Sequence, residues 1–335
     1  MAATTVLAGL GTYLPPRRVS NDELAQRFDT SDNWIRSRTG ILERRWTDPG
    51  VSTGDLAVEA GHRALKSADI SNHTVDMVIL ATTTPDHPCP GTAPDVAARL
   101  GLMKAAAFDI SAVCSGFIYG LAIGSSTIQA GLADQVLVIG SETYSTILNP
   151  ADRSTSVIFG DGAGAAILRR GTSNEPGAFF GFDLGADGTL KDLISIPAGG
   201  SRQRTICHDP DPNDFYFTMQ GKQVFVTAVQ RMAASSTTLL NAAGWPVNTV
   251  NHLVGHQANV RILHALAEKI GIGKDRTVVN IDQVGNTSAA SIPLALAHAA
   301  DQSLFTSGDR LLLTAFGGGL TWGSAVLTWP DLSPA

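Results

Sequence analysis

The chain has 335 residues and a formal net charge of -6. Hydrophobic residues make up 44% of the sequence and charged residues only 16%, so much of the chain must be interior. The acidic balance argues against a nucleic-acid-binding protein, which usually presents a basic surface.

Cysteine usage indicates a reducing compartment. The three cysteines, Cys89, Cys114 and Cys207, are too few and odd in number for a disulfide framework. No basic region precedes the apolar start of the chain at 6–14, so we expect no signal peptide and a cytoplasmic location. We interpret Cys207 as part of a polar loop, because no metal-ligand pattern surrounds it, and we expect no metal site.

The first half of the chain alternates strand-like and helix-like segments. It predicts strands at 75–80, 107–110, 135–140 and 160–168. A helix ending near Gly101 follows the first strand, and an uncharged helix starting near Cys114 follows the second. Strands that alternate with helices predict mostly parallel sheets with helices packed on their faces.

The uncharged stretch between Asp109 and Asp134 is long enough to cross a membrane. It contains several glycines and hydroxyl residues, and a matching stretch appears later in the chain. A helix that is apolar on all sides can equally lie inside a large soluble core. We favour the buried helix and expect no membrane association.

The second half repeats this order. Its predicted strands lie at 250–254, 277–281, 311–315 and 324–329, with a second uncharged helical stretch at 286–300. We therefore predict a layered α/β duplication of two similar halves, residues 1–172 and 173–335. The two uncharged helices would form a central layer between two sheets.

Three residues suit one chemistry. Cys114 lies where a loop gives way to the first uncharged helix, whose N-terminus would lower the pKa of its thiol. His256 follows a strand, and Asn286 opens the second uncharged helix. Taken singly, these residues equally fit a buried small side chain, a structural hydrogen-bonding group and a helix N-cap. The duplication places Cys114 and Asn286 at nearly equivalent positions, so a pseudo-twofold axis would bring them together beside His256.

Four motifs carry a family resemblance. They are Ala112–Gly116 around the cysteine, Gly255–Asn259 around the histidine, Gly285–Ser291 around the asparagine, and the glycine run Gly317–Gly323. In this order and spacing, over essentially the whole chain, the sequence resembles β-ketoacyl-acyl-carrier-protein synthase III, a family with the thiolase-like αβαβα fold. The Cys-His-Asn set favours the initiating synthase, a type III polyketide synthase or a close priming relative. The chain is short for a plant-type polyketide synthase.

The resemblance implies a two-step reaction. Cys114 would take an acyl group from an acyl-CoA thioester, with the backbone N–H groups of Cys114 and Gly318 as the oxyanion hole. Malonyl-acyl carrier protein would then lose CO₂, and His256 and Asn286 would donate hydrogen bonds to the resulting enolate. Coenzyme A enters as a substrate thioester, and no cofactor is expected.

The resemblance also assigns further residues and partners. CoA-binding positions are Thr30, Trp34, Arg38, Arg153 and Asn259. The acyl pocket would include Phe316. The resemblance also implies a homodimer, in which Cys89 would reach into the acyl pocket of the partner subunit. A small residue at Cys89 predicts a deeper pocket, unless neighbouring side chains refill the space. Arg261 and Lys269 match carrier-protein docking positions, whereas Val226 replaces a frequent basic residue.

Several alternatives remain open at this stage. A non-decarboxylating acyltransferase of the same fold and a catalytically silent carrier-protein-binding subunit are both compatible with the pattern. A synthase forming 3-hydroxy-3-methylglutaryl-CoA would need an acid near the cysteine, and the sequence shows none. The pattern at Gly9 and Gly11 lacks the third glycine of a dinucleotide-binding loop. The sequence does not choose between fatty-acid initiation and polyketide priming.

Overall fold

The structure, a computed structural model, describes residues 3–71, 74–206 and 209–335; Cys207 lies outside them. The strands are β1 (Ala3–Tyr13), β2 (Arg18–Ser20), β3 (Glu43–Arg45), β4 (Met77–Ala81), β5 (Ala106–Ile110), β6 (Gln135–Glu142), β7 (Gly162–Thr172), β8 (Phe179–Ala186), β9 (Ile194–Ser195), β10 (Thr218–Met219), β11 (His252–Gly255), β12 (Arg310–Gly317) and β13 (Thr321–Thr328). The helices are α1 (Asn21–Ala25), α2 (Asp32–Thr39), α3 (Thr53–Ser67), α4 (Ala93–Arg99), α5 (Gly116–Gln129), α6 (Arg153–Ser156), α7 (Ser201–Arg204), α8 (Gly221–Ala242), α9 (Val260–Ile270), α10 (Ile281–Val284) and α11 (Ser291–Asp301).

Two larger sheets repeat one topology. The first has the order β1-β7-β6-β4-β5, and the second has the order β8-β13-β12-β11. In the first sheet, β1, β7 and β6 pair antiparallel in that order, and β6 pairs parallel with β4. In the second sheet, β8, β13 and β12 pair antiparallel, and β12 pairs parallel with β11. The predicted division after residue 172 coincides with the end of β7 and remains a prediction.

The two uncharged helices, α5 and α11, form the central layer. Helix α5 packs on β6, β1 and β4 of the first sheet and on β13 and β12 of the second, and α11 packs on β7, β1 and β11. Their side chains join both sheets in one apolar cluster that includes Ile118, Leu121, Ile292 and Leu296. Helix α3 covers the outer face of the first sheet, and α8 covers that of the second. The layers are therefore αβαβα, the thiolase-like architecture predicted from the sequence.

Local signals account for the ends of the outer helices. Ser52 and Asp55 form a reciprocal capping box at the start of α3. Asn259 caps α9, which ends at Gly271 in the left-handed conformation (φ 89°). Within the described residues, no helix is long and apolar enough to cross a membrane.

One predicted strand is wrong. Residues 277–281 make a single bridge, from Thr277 to Leu253, and the chain then turns into α10. The buried Gln257 side chain donates to the Val278 carbonyl (3.1 Å) and accepts from the Asn280 N–H (3.0 Å). The Gln257 side chain therefore makes hydrogen bonds with the backbone of Val278 and Asn280 that a neighbouring strand would otherwise make.

Candidate active site

Cys114 lies on a strained turn at the N-terminal end of α5. It is the central residue of a 3₁₀ turn, 113–115, and the preceding Val113 has a φ of 48°. A branched residue in the left-handed region costs about 1–3 kcal/mol and persists only where the surrounding structure holds it. Cys114 is buried, with 8% of its surface exposed.

The second half builds the same turn at the start of α11. Ser288, the first residue of the 3₁₀ turn 288–290, also has a φ of 48°. The counterpart of Val113 is therefore Ser288, and that of Cys114 is Ala289. Asn286 lies three residues before the symmetry-equivalent position, which corrects the near-equivalence expected from the sequence.

A glycine turn lies directly against the nucleophile. A Cβ on Gly317 would come within 2.8 Å of the Cys114 backbone nitrogen and 2.9 Å of the Ala112 carbonyl oxygen, so only glycine fits. The Thr321 hydroxyl lies 3.1 Å from both the Ala112 and the Gly318 carbonyl oxygens. Ser115 Oγ donates to Thr321 Oγ1 at 2.8 Å. These bonds hold Gly318 beside the turn that carries Cys114.

The His256 ring is hydrogen-bonded to Ser291. Its Nδ1 lies 2.8 Å from Ser291 Oγ, which also accepts the Gln257 N–H at 2.8 Å. When the serine hydroxyl donates to Nδ1, the ring proton resides on Nε2. Burial lowers the pKa of His256 to about 3, and the ring is therefore neutral at physiological pH. A neutral ring can donate from Nε2 without a formal charge.

Asn286 is oriented by its own loop. Its Oδ1 accepts the Ser288 N–H at 2.9 Å, and its backbone N–H donates to the Ile158 carbonyl at 2.9 Å. With Oδ1 occupied, the Nδ2 amide group is left to act as a donor. The residue is buried and lines the same cavity as Cys114 and His256.

One cavity brings the three predicted residues together. Apart from these three residues, it is lined mostly by apolar side chains. A second cavity opens between α2, α8 and α9. Both are lined by Met219, Val224, Ala258, Ile262 and Asn286. The pair forms a passage from the surface to Cys114.

Three of the predicted CoA residues meet at the outer end of this passage. The guanidinium carbons of Arg38 and Arg153 lie 4.9 Å and 4.8 Å from the centre of the Trp34 ring. Arg153 also donates to the Asp29 carbonyl. An indole flanked by two guanidinium groups suits a flat aromatic ligand.

Thr30 and Asn259 differ in the hydrogen-bonding capacity that they keep. The Thr30 hydroxyl is buried and finds no hydrogen-bond partner in the described part of the chain. Asn259 lines the outer cavity, but its Oδ1 caps α9 and its Nδ2 already donates to the Arg38 carbonyl at 3.0 Å. Thr30 is not among the described residues that line either cavity, whereas Asn259 lines the outer one.

The remaining predicted residues lie in three places. Phe316 is buried and lines the inner cavity, whereas Cys89 is exposed and does not line it within one chain. Arg261 and Lys269 are exposed on α9, and the Arg261 side chain donates to the Ser37 carbonyl at 2.7 Å. Across the described ranges, no group of His, Cys, Asp or Glu could hold a metal ion.

Comparison with known proteins identifies the family. The family models for 3-oxoacyl-[acyl-carrier-protein] synthase III match residues 108–188 and, for the C-terminal part, residues 240–329. Beta-ketoacyl-[acyl-carrier-protein] synthase III 5 of Streptomyces coelicolor is 64% identical over 333 residues, 99% of each chain. The chain belongs to the β-ketoacyl-acyl-carrier-protein synthase III family.

Solved structures agree with this assignment. Synthase III from Pseudomonas aeruginosa PAO1 superposes with a TM-score of 0.92 at 50% identity, covering 99% of this chain and 100% of that one. The priming β-ketosynthase of the R1128 polyketide pathway superposes with a TM-score of 0.90 at 32% identity, covering 98% and 97%. The fold and family predicted from the sequence motifs are thereby confirmed.

Sequence reasoning missed four polar residues of this synthase III site. Ser291 bonds His256 Nδ1, Thr321 holds the glycine turn, and Ser288 bonds Asn286 Oδ1 and the buried carboxylate of Glu142. Glu142 is a buried acid near the cysteine, but no acid is among the described residues that line the inner cavity. Ser288 and Ser291 lie in the asparagine motif and Thr321 lies in the glycine run, so these three carried a signal. Glu142 carried none, because its hydrogen bond with Ser288 spans 146 residues of sequence.

The thiol itself also differs from expectation. The pKa of Cys114 is raised to about 12, chiefly by burial; a hydrogen bond with Ser288 opposes this, and the Glu142 carboxylate adds to it. The sequence analysis expected the helix N-terminus to lower this pKa. In the free protein burial outweighs that effect, so the thiol is protonated at rest.

Proposed function

We propose that this chain condenses an acyl group from acyl-CoA with malonyl-acyl carrier protein, with loss of CO₂, to give β-ketoacyl-acyl carrier protein. The observation that carries the proposal is the single passage that joins the Trp34 entrance to Cys114, His256 and Asn286. A nucleophile and two oriented neutral donors in one apolar cavity are the groups that this reaction requires.

The first step is acyl transfer to sulfur. Cys114 attacks the thioester carbonyl, and the carbonyl oxygen becomes an oxyanion next to the backbone of Cys114 and Gly318. The close packing of Gly317 on the nucleophile turn supports this placement, because it keeps the glycine run within reach of the reacting carbon. CoA then leaves as the thiol.

The second step is decarboxylation and carbon–carbon bond formation. Loss of CO₂ from the malonyl group leaves an enolate whose oxygen accepts hydrogen bonds from His256 Nε2–H and Asn286 Nδ2–H. Both donors are neutral and held by protein groups on their far side, so little reorganisation is needed as charge develops. The enolate carbon attacks the acyl group, and the Cys114 sulfur is released.

A homodimer and a cytoplasmic location are part of the proposal. Strand β5 forms one edge of the five-stranded sheet and exposes Phe108, as expected of a strand that pairs with a second copy. Sedimentation equilibrium at micromolar concentration tests the dimer, and a result equal to the mass of one chain would contradict it.

The proposed location is the cytoplasm, because free Cys89 and Cys114 suit a reducing compartment.

The test of the proposed function is intact-protein mass spectrometry with acetyl-, propionyl-, isobutyryl- and hexanoyl-CoA. We expect a mass gain of one acyl group, mapped to Cys114, with at least one of the four. Addition of malonyl carrier protein should remove it and yield a β-ketoacyl carrier protein. Direct transfer of the intact acyl group to the carrier would instead support a simple acyltransferase. No acylation by any donor would support a silent binding subunit.

Trp34 provides a test of the CoA entrance. A Trp34→Ala variant should raise KM for acyl-CoA about tenfold with little change in kcat, since stacking on an aromatic side chain is worth ~1–3 kcal/mol per base. Trp34→Phe, which keeps an aromatic face, should recover most of the affinity. Initial rates against acyl-CoA concentration measure both. An unchanged KM in Trp34→Ala would rule out adenine binding at this tryptophan.

Arg261 provides a test of carrier-protein docking. Charge reversal in Arg261→Glu should raise KM for malonyl carrier protein about tenfold and weaken its salt dependence, because carrier proteins are acidic. Self-acylation of Cys114 by acyl-CoA should stay at the wild-type rate. Lys66→Glu, a reversal on the distant helix α3, is the matched control. Equal loss of both half-reactions in Arg261→Glu would contradict a docking role.

A further inference from the structure

A buried arginine lies between the N-terminal segment of the CoA entrance and the loop of Asn286. Arg44, the central residue of β3, has no exposed surface. Its Nη1 donates to the Val19 carbonyl at 3.2 Å, and its Nη2 donates to the Val157 carbonyl at 2.8 Å. Both nitrogens also donate to Asn21 Oδ1 at 2.8 Å. The planar guanidinium fork therefore joins β3 to the start of α1 and to the segment that follows α6.

This arginine carries its charge without an acidic partner. No carboxylate of the described residues forms an ion pair with it, and its acceptors are two carbonyls and an amide oxygen. Burial lowers the pKa of Arg44 to about 10, against the effect of Glu43 and Glu23, so the side chain is charged at neutral pH. Its Nε–H finds no partner in the described part of the chain, so the two Nη groups make all of its hydrogen bonds. Moving an acceptor away would leave a buried cationic donor unpaired, which is costly, and the fork therefore fixes the positions of its acceptors.

The segment after α6 connects this arginine to Asn286. Val157 is followed by Ile158, whose carbonyl accepts the Asn286 N–H at 2.9 Å. The Asn286 carbonyl in turn accepts the Gly160 N–H at 3.0 Å, so the two segments form a short parallel bridge. The backbone of Asn286 therefore takes its position from the segment that the Arg44 fork holds.

The arginine stem also packs against the loop before Asn286. Gly285 has a φ of 70°, and a Cβ there would lie 3.0 Å from the Arg44 Cβ and 2.9 Å from the Ile158 carbonyl oxygen. A Cβ on Gly160 would lie 3.1 Å from the same Arg44 Cβ. The two glycines let both segments approach the arginine closely. Arg44 thus supports the Asn286 loop through its stem and the paired segment through its fork.

We propose that Arg44 is the positioning residue that holds Asn286 Nδ2 where the enolate oxygen forms. The proposal rests on the decarboxylation step of the proposed function and adds the group that places its second donor. Arg44 is not among the described residues that line either cavity, so any effect on that step must pass through the residues that it holds.

The other end of the fork is anchored through Asn21. Asn21 Nδ2 donates to Asp32 Oδ1 at 2.9 Å, in the first turn of α2, and to the Ile41 carbonyl at 2.8 Å. Helix α2 carries Trp34 at the outer end of the passage. The contacts therefore run from the entrance helix through Asn21 and Arg44 to the loop of Asn286.

A purely structural role for Arg44 makes different predictions. Loss of the fork would then lower the fraction of enzyme that folds, and the folded enzyme would discharge its acyl group at the wild-type rate. A positioning residue must instead change the rate constant of discharge per acyl-enzyme. Acylation does not use Asn286 and should stay near its wild-type rate. Single-turnover rate constants separate the two roles, because they do not depend on the amount of active enzyme.

The test is the discharge of preformed acyl-enzyme by saturating malonyl carrier protein in Arg44→Lys. Lysine keeps the charge, but its single nitrogen cannot reproduce the fork that bonds Asn21 and the Val157 carbonyl together. We expect discharge to slow by about 10- to 10²-fold, since a misplacement of ~1 Å can cost ~10²-fold. Acylation at saturating acyl-CoA should keep nearly the wild-type rate. The matched control is Arg276→Lys, which alters a guanidinium contact with the Val250 carbonyl (2.6 Å) outside both cavities.

A double variant shows whether Arg44 acts through Asn286. Asn286→Ala removes the donor, so adding Arg44→Lys should make discharge no slower than in Asn286→Ala alone. Losses that multiply would overturn the proposal, as would discharge at the wild-type rate in Arg44→Lys. If Arg44→Lys fails to fold, Asn21→Ala replaces it, because it removes the acceptor that both Nη groups share. Discharge slowed more than acylation in Asn21→Ala would then support the proposal, and equal rates would overturn it.

Hydrogen–deuterium exchange gives a second readout that needs no reaction. In Arg44→Lys, peptides that contain residues 156–161 and 284–289 should exchange faster than in the wild type, because the Asn286 and Gly160 N–H groups bond across these segments. A peptide from β12 should keep its rate. Unchanged exchange in the first two peptides, or an equal rise in all three, would overturn the proposal. Failure of the proposed function alone would leave wild-type acyl-enzyme undischarged and this exchange difference in place.

Discussion

A Cys114→Ala variant is expected to take up no acyl group from any CoA thioester while keeping its fold. Among the described residues that line the inner cavity, Cys114 is the only thiol, and most of the others are apolar. Removing a covalent nucleophile leaves only residual catalysis from the surrounding groups, so we expect a loss of at least about 10⁴-fold in condensation. Intact-protein mass spectrometry after incubation with acyl-CoA measures the uptake.

The matched control is Cys89→Ala. Cys89 is an exposed free cysteine, and its replacement should leave acylation of Cys114 in place. An unchanged melting temperature would show that Cys114→Ala is folded. An acyl adduct formed by Cys114→Ala at the wild-type rate, on any other residue, would contradict the assignment of the nucleophile.

An Asn286→Asp variant is expected to separate the two half-reactions. Aspartate has nearly the shape of asparagine and can still accept the Ser288 N–H through Oδ1. Its second oxygen, however, places an acceptor and a negative charge where the enolate oxygen forms. Loss of one such donor typically costs ~10²–10³-fold, and repulsion adds to it, so we expect discharge to slow by on the order of 10³-fold or more.

Acylation of Cys114 should be much less affected in this variant, because it does not pass through the enolate. The measurement is a rapid-quench time course in which preformed acyl-enzyme is mixed with malonyl carrier protein. His256→Ala should show the same division with one donor lost and no added charge, hence a smaller effect. Slowing of acylation and discharge by equal factors in both variants would contradict the assignment of these residues to the enolate.

The layered fold was largely predictable because the burial of a helix restricts its amino-acid composition. Helices α5 and α11 lie between two sheets, and a helix enclosed on all sides cannot carry charge without a partner. The repeated order of strands and helices then predicted the duplication. The predicted strand at 277–281 was wrong because the buried Gln257 side chain, and not a neighbouring strand, makes hydrogen bonds with the backbone of this segment.

The three central residues of the site were also predictable, because each lies in a short motif at the end of an element. Their supporting groups were not. The donor roles of His256 and Asn286 depend on contacts with Ser291 and Ser288 whose geometry the sequence does not state. The protonation of Cys114 depends on its burial and on Glu142, which comes from a distant segment. Such effects arise only when the tertiary structure forms.

The most direct test of the central claim uses malonyl carrier protein labelled with ¹³C at its free carboxyl group. Enzyme already acylated at Cys114 is mixed with it, and labelled CO₂ and product mass are followed together. The account predicts one labelled CO₂ for each acyl group lost from Cys114, with a β-ketoacyl carrier protein that contains no label. Loss of the acyl group with the labelled carboxyl still on the carrier would show transfer without decarboxylation and would contradict the account.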